Sequence, residues 1–113
     1  MWYIASAFFT SADSGSHQNR PALWEEVLLL IDAVDDESAA RAAGEVARST
    51  EHEYSVSQPT PHVLRWTFVK VERVNRIEGP LAHGTELFSR FLRATEAESL
   101  LRPFDDAEGV ENS

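Results

Sequence analysis

The chain is 113 residues long, carries 19 acidic against 10 basic residues for a formal net charge of -9, and contains no cysteine. That length allows one domain with a modest core, and the missing cysteines exclude a disulfide scaffold and thiolate metal sites. The negative balance argues against DNA or RNA as a partner, because phosphate binding needs a basic footprint.

The opening Met1-Trp2-Tyr3-Ile4 has no basic stretch, and the apolar run from Ala5 to Phe9 is too short for a secretion signal. The longest apolar run, Val27 to Ile31, falls far short of a membrane span. These features lead us to expect a cytoplasmic chain with no membrane partner. Trp2 to Thr10 reads as a short strand rich in aromatic and apolar residues, apolar on both sides and so expected to be central or covered on both faces. Ser11 to Arg20 reads as a polar loop that Pro21 ends.

Leu23 to Val34 is the second expected strand, with Val27, Leu29 and Ile31 on one face and Leu28, Leu30 and Val34 on the other. A loop joins it to the first strand, so antiparallel pairing is the default. Asp35, Asp36, Glu37 and Ser38 form a helix entry, in which an aspartate accepts from free N–H groups and the acids complement the helix dipole. The helix is expected over about Glu37 to Thr50. Ala39, Ala43, Val46 and Ala47 recur at spacings of three and four and form one apolar stripe. A stripe made mostly of alanine buries little area but lets the helix approach a sheet closely.

Glu53 to Ser57 reads as a short strand, and Val63 to Ile77 as a long one. Leu64, Trp66 and Phe68 share one face of the long strand, which turns polar at Lys70 and Glu72. Either that strand outruns the core, or a bulge changes its facing. Glu78-Gly79-Pro80 is a turn; Thr85 to Arg93 alternates in the manner of a strand, with a helix as the alternative. Thr95 and Glu98 have capping-box spacing before a short helix that Pro103 stops. Residues 105–113 read as a disordered acidic tail beyond a single domain over 1–104.

The expected fold is α+β: a mostly antiparallel sheet of four to five strands, one main helix packed on one face, and a short C-terminal helix. Its core is expected to draw on Trp2 or Tyr3, Phe8 or Phe9, Leu28, Leu30, Ala43, Val46, Trp66 and Phe68.

Several segments in order resemble a known family. They are Met1-Trp2-Tyr3-Ile4-Ala5, Glu25 to Ile31 followed by Asp36 to Ala40, Glu51-His52-Glu53-Tyr54, Arg65 to Val71, and Gly84 to Phe91. Together they resemble the small bacterial proteins of the DUF4288 domain, over about Met1 to Leu92. The resemblance implies a small single-domain protein, usually standing alone, with no assigned activity, and it supplies no catalytic residues.

No residue set marks a reaction. His17, His52, His62 and His83 are scattered without a second ligand at helical or hairpin spacing, so no metal site is expected. Glu25 and Glu26 are explained by a solvated strand end, and Asp35 to Glu37 by capping, so no catalytic residue and no cofactor is assigned. Arg65, Trp66, Glu86, Ser89 and Arg90 are the candidate ligand- or partner-binding residues. If the last two long strands pair, Arg65 or Arg73 meets Glu86 across the sheet; the functional reading is a polar groove with arginine as bidentate donor. One helix covers one sheet face, yet the strands are apolar on both. The second face must be met by the C-terminal helix, a second subunit or a protein partner. The leading expectation is a non-enzymatic protein-binding domain, immunity-like or accessory, or a homodimer. Its acidic surface either meets a basic partner or serves only solubility. The alternative is a small-ligand or regulatory domain built on the Arg/Glu groove.

Overall fold

A computed structural model describes residues 1–14, 22–57 and 61–102. The elements run β1 (Trp2–Asp13), β2 (Trp24–Asp32), α1 (Asp36–Ser49), β3 (His52–Val56), β4 (His62–Arg76) and α2 (Ala94–Leu101). The four strands form one antiparallel sheet in the order β2-β1-β4-β3. The long strands β1 and β4 are central, and α1 links one edge strand to the other. The fifth strand expected over Thr85 to Arg93 does not form: that stretch has no strand pairing and runs irregularly to α2. Of the polar loop expected over Ser11 to Arg20, Ser11 to Asp13 belong to β1 and residues 15–20 lie outside the described residues, as do the Pro103 stop and the acidic tail.

The helix begins as its sequence demands. Asp35, in extended backbone, accepts from the Ser38 N–H at 2.8 Å, and Asp36 and Glu37 occupy the first turn. At the other end the Thr50 N–H and hydroxyl both donate to the Ala47 carbonyl, at 3.0 and 2.8 Å. Between the caps, Ala39, Ala43 and Ala47 are fully buried. Ala39 and Ala43 pack with Tyr3, Ala5 and Ile31, while Ala47 packs with Ala7 and Phe9. Small residues on both sides of this contact bring the helix backbone close to the sheet. Val46, expected in the core, is exposed on the outer side of the stripe.

Hydrogen bonding to the Ser38 backbone and hydroxyl holds the Asp35 carboxyl below its ordinary range. A carboxylate with a depressed folded pKa contributes stability above its unfolded value that is lost as pH falls through the folded one. Asp35→Asn keeps a capping side chain and is expected to flatten the acid side of the stability profile below about pH 4; equilibrium unfolding against pH measures it. Gly44 lies buried in the middle of α1, yet a Cβ there would meet only the end of the flexible Arg48 side chain, at 3.5 Å. Gly44→Ala is therefore expected to stabilise the protein by about 0.5–1 kcal/mol through helix propensity, read as a higher thermal midpoint.

The core sits between α1 and one sheet face. Tyr3 is 1% exposed and Phe9 4%, which resolves both sequence alternatives in favour of the second residue. Burial raises the pKa of the Tyr3 hydroxyl, and Asp36 adds to the shift through its hydrogen bond and charge. Strand β4 reaches this face by an uneven rhythm. Its register with β1 slips between Ser6 and Ala7 and again between Phe8 and Phe9, leaving Glu72 and Val69 as extra residues. Two bulges thus place Trp66, Phe68, Val71 and Val74 on the helix side. Trp66 and Phe68 are half-buried there, with the Arg48 guanidinium 5.4 Å above the Phe68 ring.

Candidate interaction surface

Alternation turns the remaining side chains of β1 and β2 to the second face. Ile4, Ser6 and Phe8 stand beside Leu30, Leu28 and Glu26 in the antiparallel register. The Ser6 hydroxyl donates to Glu26 Oε2 at 2.6 Å and so fixes the polar end of this patch. The bulges send Lys70, Arg73 and Asn75 of β4 to the same face, opposite Phe8, Ser6 and Ile4.

The chain returns to this face after β4. The Ile77 N–H donates to the Trp2 carbonyl at 2.9 Å, which prolongs the pairing by one residue. Gly79 and Gly84, at φ 77 and 86, make the turns that only glycine takes without strain. Thr85 ties that turn together: its hydroxyl donates to the Pro80 carbonyl at 3.0 Å and accepts from the Ala82 N–H at 2.9 Å. Phe88 then sits against Ile4, Ser6, Leu28, Arg73 and Asn75, leaving a crevice of only about 10 Å³. Two guanidinium groups face the ring, Arg73 at 4.9 Å and Arg90 at 5.9 Å from its centre. Each such cation–π contact stabilises by about 0.5–1 kcal/mol at a solvated site.

Phe88 buries Ile4 and Ser6, but the β2 side stays open. Leu28 is 56% exposed and Leu30 49%, with Trp2 and Trp24 also exposed. Both leucines were expected in the core; they lie outside it because no second layer among the described residues covers this half of the sheet. Beyond Phe88 the chain leaves the body. Phe91 is wholly exposed, and α2 packs on none of the strands and not on α1. The helix starts at Arg93, whose N–H donates to Glu96 Oε1 at 2.8 Å, two residues ahead of the Thr95–Glu98 spacing in the sequence.

The candidate residues read from the sequence fall in three places. Arg65 donates to Glu53 Oε1 from Nη2 at 2.9 Å and Nε at 3.1 Å, across the β3–β4 pair. Exposed on both sides, this pair is worth about 0–1 kcal/mol. Trp66, next in sequence, points the other way, into the helix-side core beside Phe9. Glu86 and Ser89 line a cleft of about 630 Å³ with Asn75, Arg76, Thr85 and Phe88. Arg90 flanks Phe88 and lines a shallower hollow with Leu92, Thr95 and Leu100. Glu86, Ser89 and Arg90 are therefore neighbours, while Arg65 and Trp66 stand apart from them and from each other. With no strand over Thr85 to Arg93, Glu86 has no cross-strand partner; Arg65 pairs with Glu53, and Arg73 stacks on Phe88. Phe88 and Asn75 are the residues that sequence reasoning missed, while Arg73, considered there as a partner of Glu86, lies against Phe88 instead. The facing of Arg73 and Asn75 depends on the bulge at Glu72, one of the two readings that the polar turn at Lys70 and Glu72 allows.

Among the described residues no cluster of histidines and carboxylates is arranged to hold a metal ion. No helix among them is long and apolar enough to cross a membrane. What the fold and this surface define is a small α+β domain, a four-stranded antiparallel sheet with a helix against one face and an apolar second face partly open. The chain belongs to the DUF4288 family, described as a domain of unknown function, which matches residues 2–89. No curated protein and no solved structure matches it. The matched region ends one residue after Phe88, so it takes in the sheet, α1 and the docked ring but not α2.

Proposed function

We propose that this protein works by binding another protein through the second face of its sheet, without catalysing a reaction. The observation that carries this reading is the open apolar half of that face, Leu28 and Leu30 with Trp2 beside them. A contiguous apolar patch rimmed by charge is the signature of a protein contact. An immunity-like or accessory role fits a small binding domain of this kind. The net charge of -9 favours a partner with a basic surface and an encounter that slows as salt rises.

The test is recovery of tagged full-length protein from its native lysate at low and moderate salt, wild type beside the double substitution Leu28→Lys/Leu30→Lys. A stoichiometric protein, a second copy included, that is lost with the substitutions supports the reading. A protein retained equally by both forms, or none recovered, overturns it. A second reading has its own observation: the cleft of about 630 Å³ that brings Glu86 and Ser89 beside Asn75 and Arg76 is large enough for a small ligand. Native mass spectrometry that finds a co-purified small molecule, lost on Ser89→Leu, would favour it.

A further inference from the structure

We propose that two copies of this chain pair by exchanging arms, each copy laying its α2 across the open second face of the other. The inference rests on reading that face as the binding surface and names its occupant.

The first support is that each half is incomplete alone. The face exposes Leu28 and Leu30; the arm exposes Phe91, Leu92, Leu100 and Leu101, the last at 80%. Helix α2 packs on no other described element of its own chain. Isolated helices this short are marginal in water, so α2 needs a surface to lie on.

The second is the pattern of α2 itself. Ala94, Ala97 and Leu101 recur at spacings of three and four and, with Leu100, form one apolar stripe, flanked on its two sides by Glu96 and Glu98. The face carries both signs at its edges: Glu26 and Asp32 flank the leucines on β2, and Lys70 and Arg73 stand across β1 on β4. A chain of net charge -9 repels a second copy unless acid meets base at the contact. Here Glu96 and Glu98 of α2 find that match on the β4 side of the face, at Lys70 and Arg73.

The third is direction. The arm leaves from the second face at Phe88, and extended backbone at Arg93, fixed by the bond from its N–H to Glu96, starts α2 off the body. An arm so held reaches another copy's face, and a two-fold axis gives each face one arm.

The experiment uses the full chain and its lack of cysteine. Sedimentation across the micromolar range is expected to show a dimer that weakens as salt rises, with Leu101→Glu weakening association on the order of tenfold or more. When a Leu30→Cys copy is mixed with a Leu101→Cys copy, a short bis-maleimide is expected to join one of each. A strictly monomeric chain overturns the inference, as does a dimer unchanged by both Leu101→Glu and Leu30→Glu. So does a doubly substituted Leu30→Cys/Leu101→Cys chain that links only within itself. Because Leu101 is exposed and remote from the core, its substitution does not put folding at risk. A monomer whose capture of a different protein is still abolished by Leu28→Lys/Leu30→Lys would sink the exchange and leave the binding reading standing.

Discussion

Phe9→Ala is expected to lower the unfolding free energy by about 3–5 kcal/mol, the range for deleting a buried aromatic side chain. Phe9 is 4% exposed and fills the space between Ala7 of its own strand, Ala47 of α1, and Phe68, whose ring it meets edge-on at 5.8 Å. Its neighbours are alanines, too small to fill the hole, and half-buried side chains, whose inward shift recovers only part of the loss. Against a typical total of about 5–15 kcal/mol, that loss brings the domain close to unfolding at ambient temperature. Urea melts with an unchanged slope and a lower midpoint would show it. An unchanged midpoint would mean that the cluster around Phe9 is not the centre of the core. Trp66→Ala, by contrast, falls below the same range, because Trp66 is only half-buried.

Ala43→Leu is the second large effect, and it works by the opposite mechanism. Ala43 has no exposed surface and faces Tyr3, Ala5 and Ile31, with Ala5 also fully buried. Where alanine meets alanine the backbones are already close, and three extra heavy atoms have no gap to enter. Overpacking of this kind costs about 1–3 kcal/mol or more, as the helix lifts from the sheet and loses contact along the whole stripe. The control lies one turn away: Val46→Leu, at an exposed position, is expected to stay within about 0.5 kcal/mol. Equal thermal midpoints for the two variants would refute close helix–sheet contact.

The parts legible in the sequence were those governed by local chemistry. The spacing of Ala39, Ala43, Val46 and Ala47 marked the stripe of α1, buried at all but Val46, and Asp35 or Asp36 marked its start, where Asp35 caps. Strand β2 showed its two faces through simple alternation, with Val27, Leu29 and Ile31 turned to the helix. What sequence reasoning could not supply was the number of layers. Leu28 and Leu30 are as apolar as their neighbours, and only the absence of a covering element among the described residues separates them from the core. The alternation from Thr85 to Arg93 misled for a related reason: strand character needs a partner to pair with, and only Phe88 of that stretch docks firmly. Arg65 and Trp66 stand among the same candidates in the sequence, yet an extended chain sends adjacent side chains to opposite faces. The cleft that gathers Glu86 and Ser89 comes from the Thr85-tied turn, a backbone feature with no periodic signal.

The two extra residues of β4 also bear on how relatives of this chain can differ in length. Each bulge takes up one extra residue so that the rest of the strand keeps its facing: remove Glu72 alone, and Val71 still meets Ala7 and Arg73 still meets Ser6, now in plain alternation. Arg73 and Asn75 would stay on the second face, and Val74 toward the alanine stripe. A single-residue gap at Glu72 or at Val69 is therefore a tolerated edit, whereas a gap at a regularly paired position such as Thr67 exchanges the faces of the residues on one side of it. In an alignment, single-residue insertions and deletions should gather at the two bulges, and a relative with a gap elsewhere in the strand should show a compensating exchange of apolar and charged residues along the rest of it.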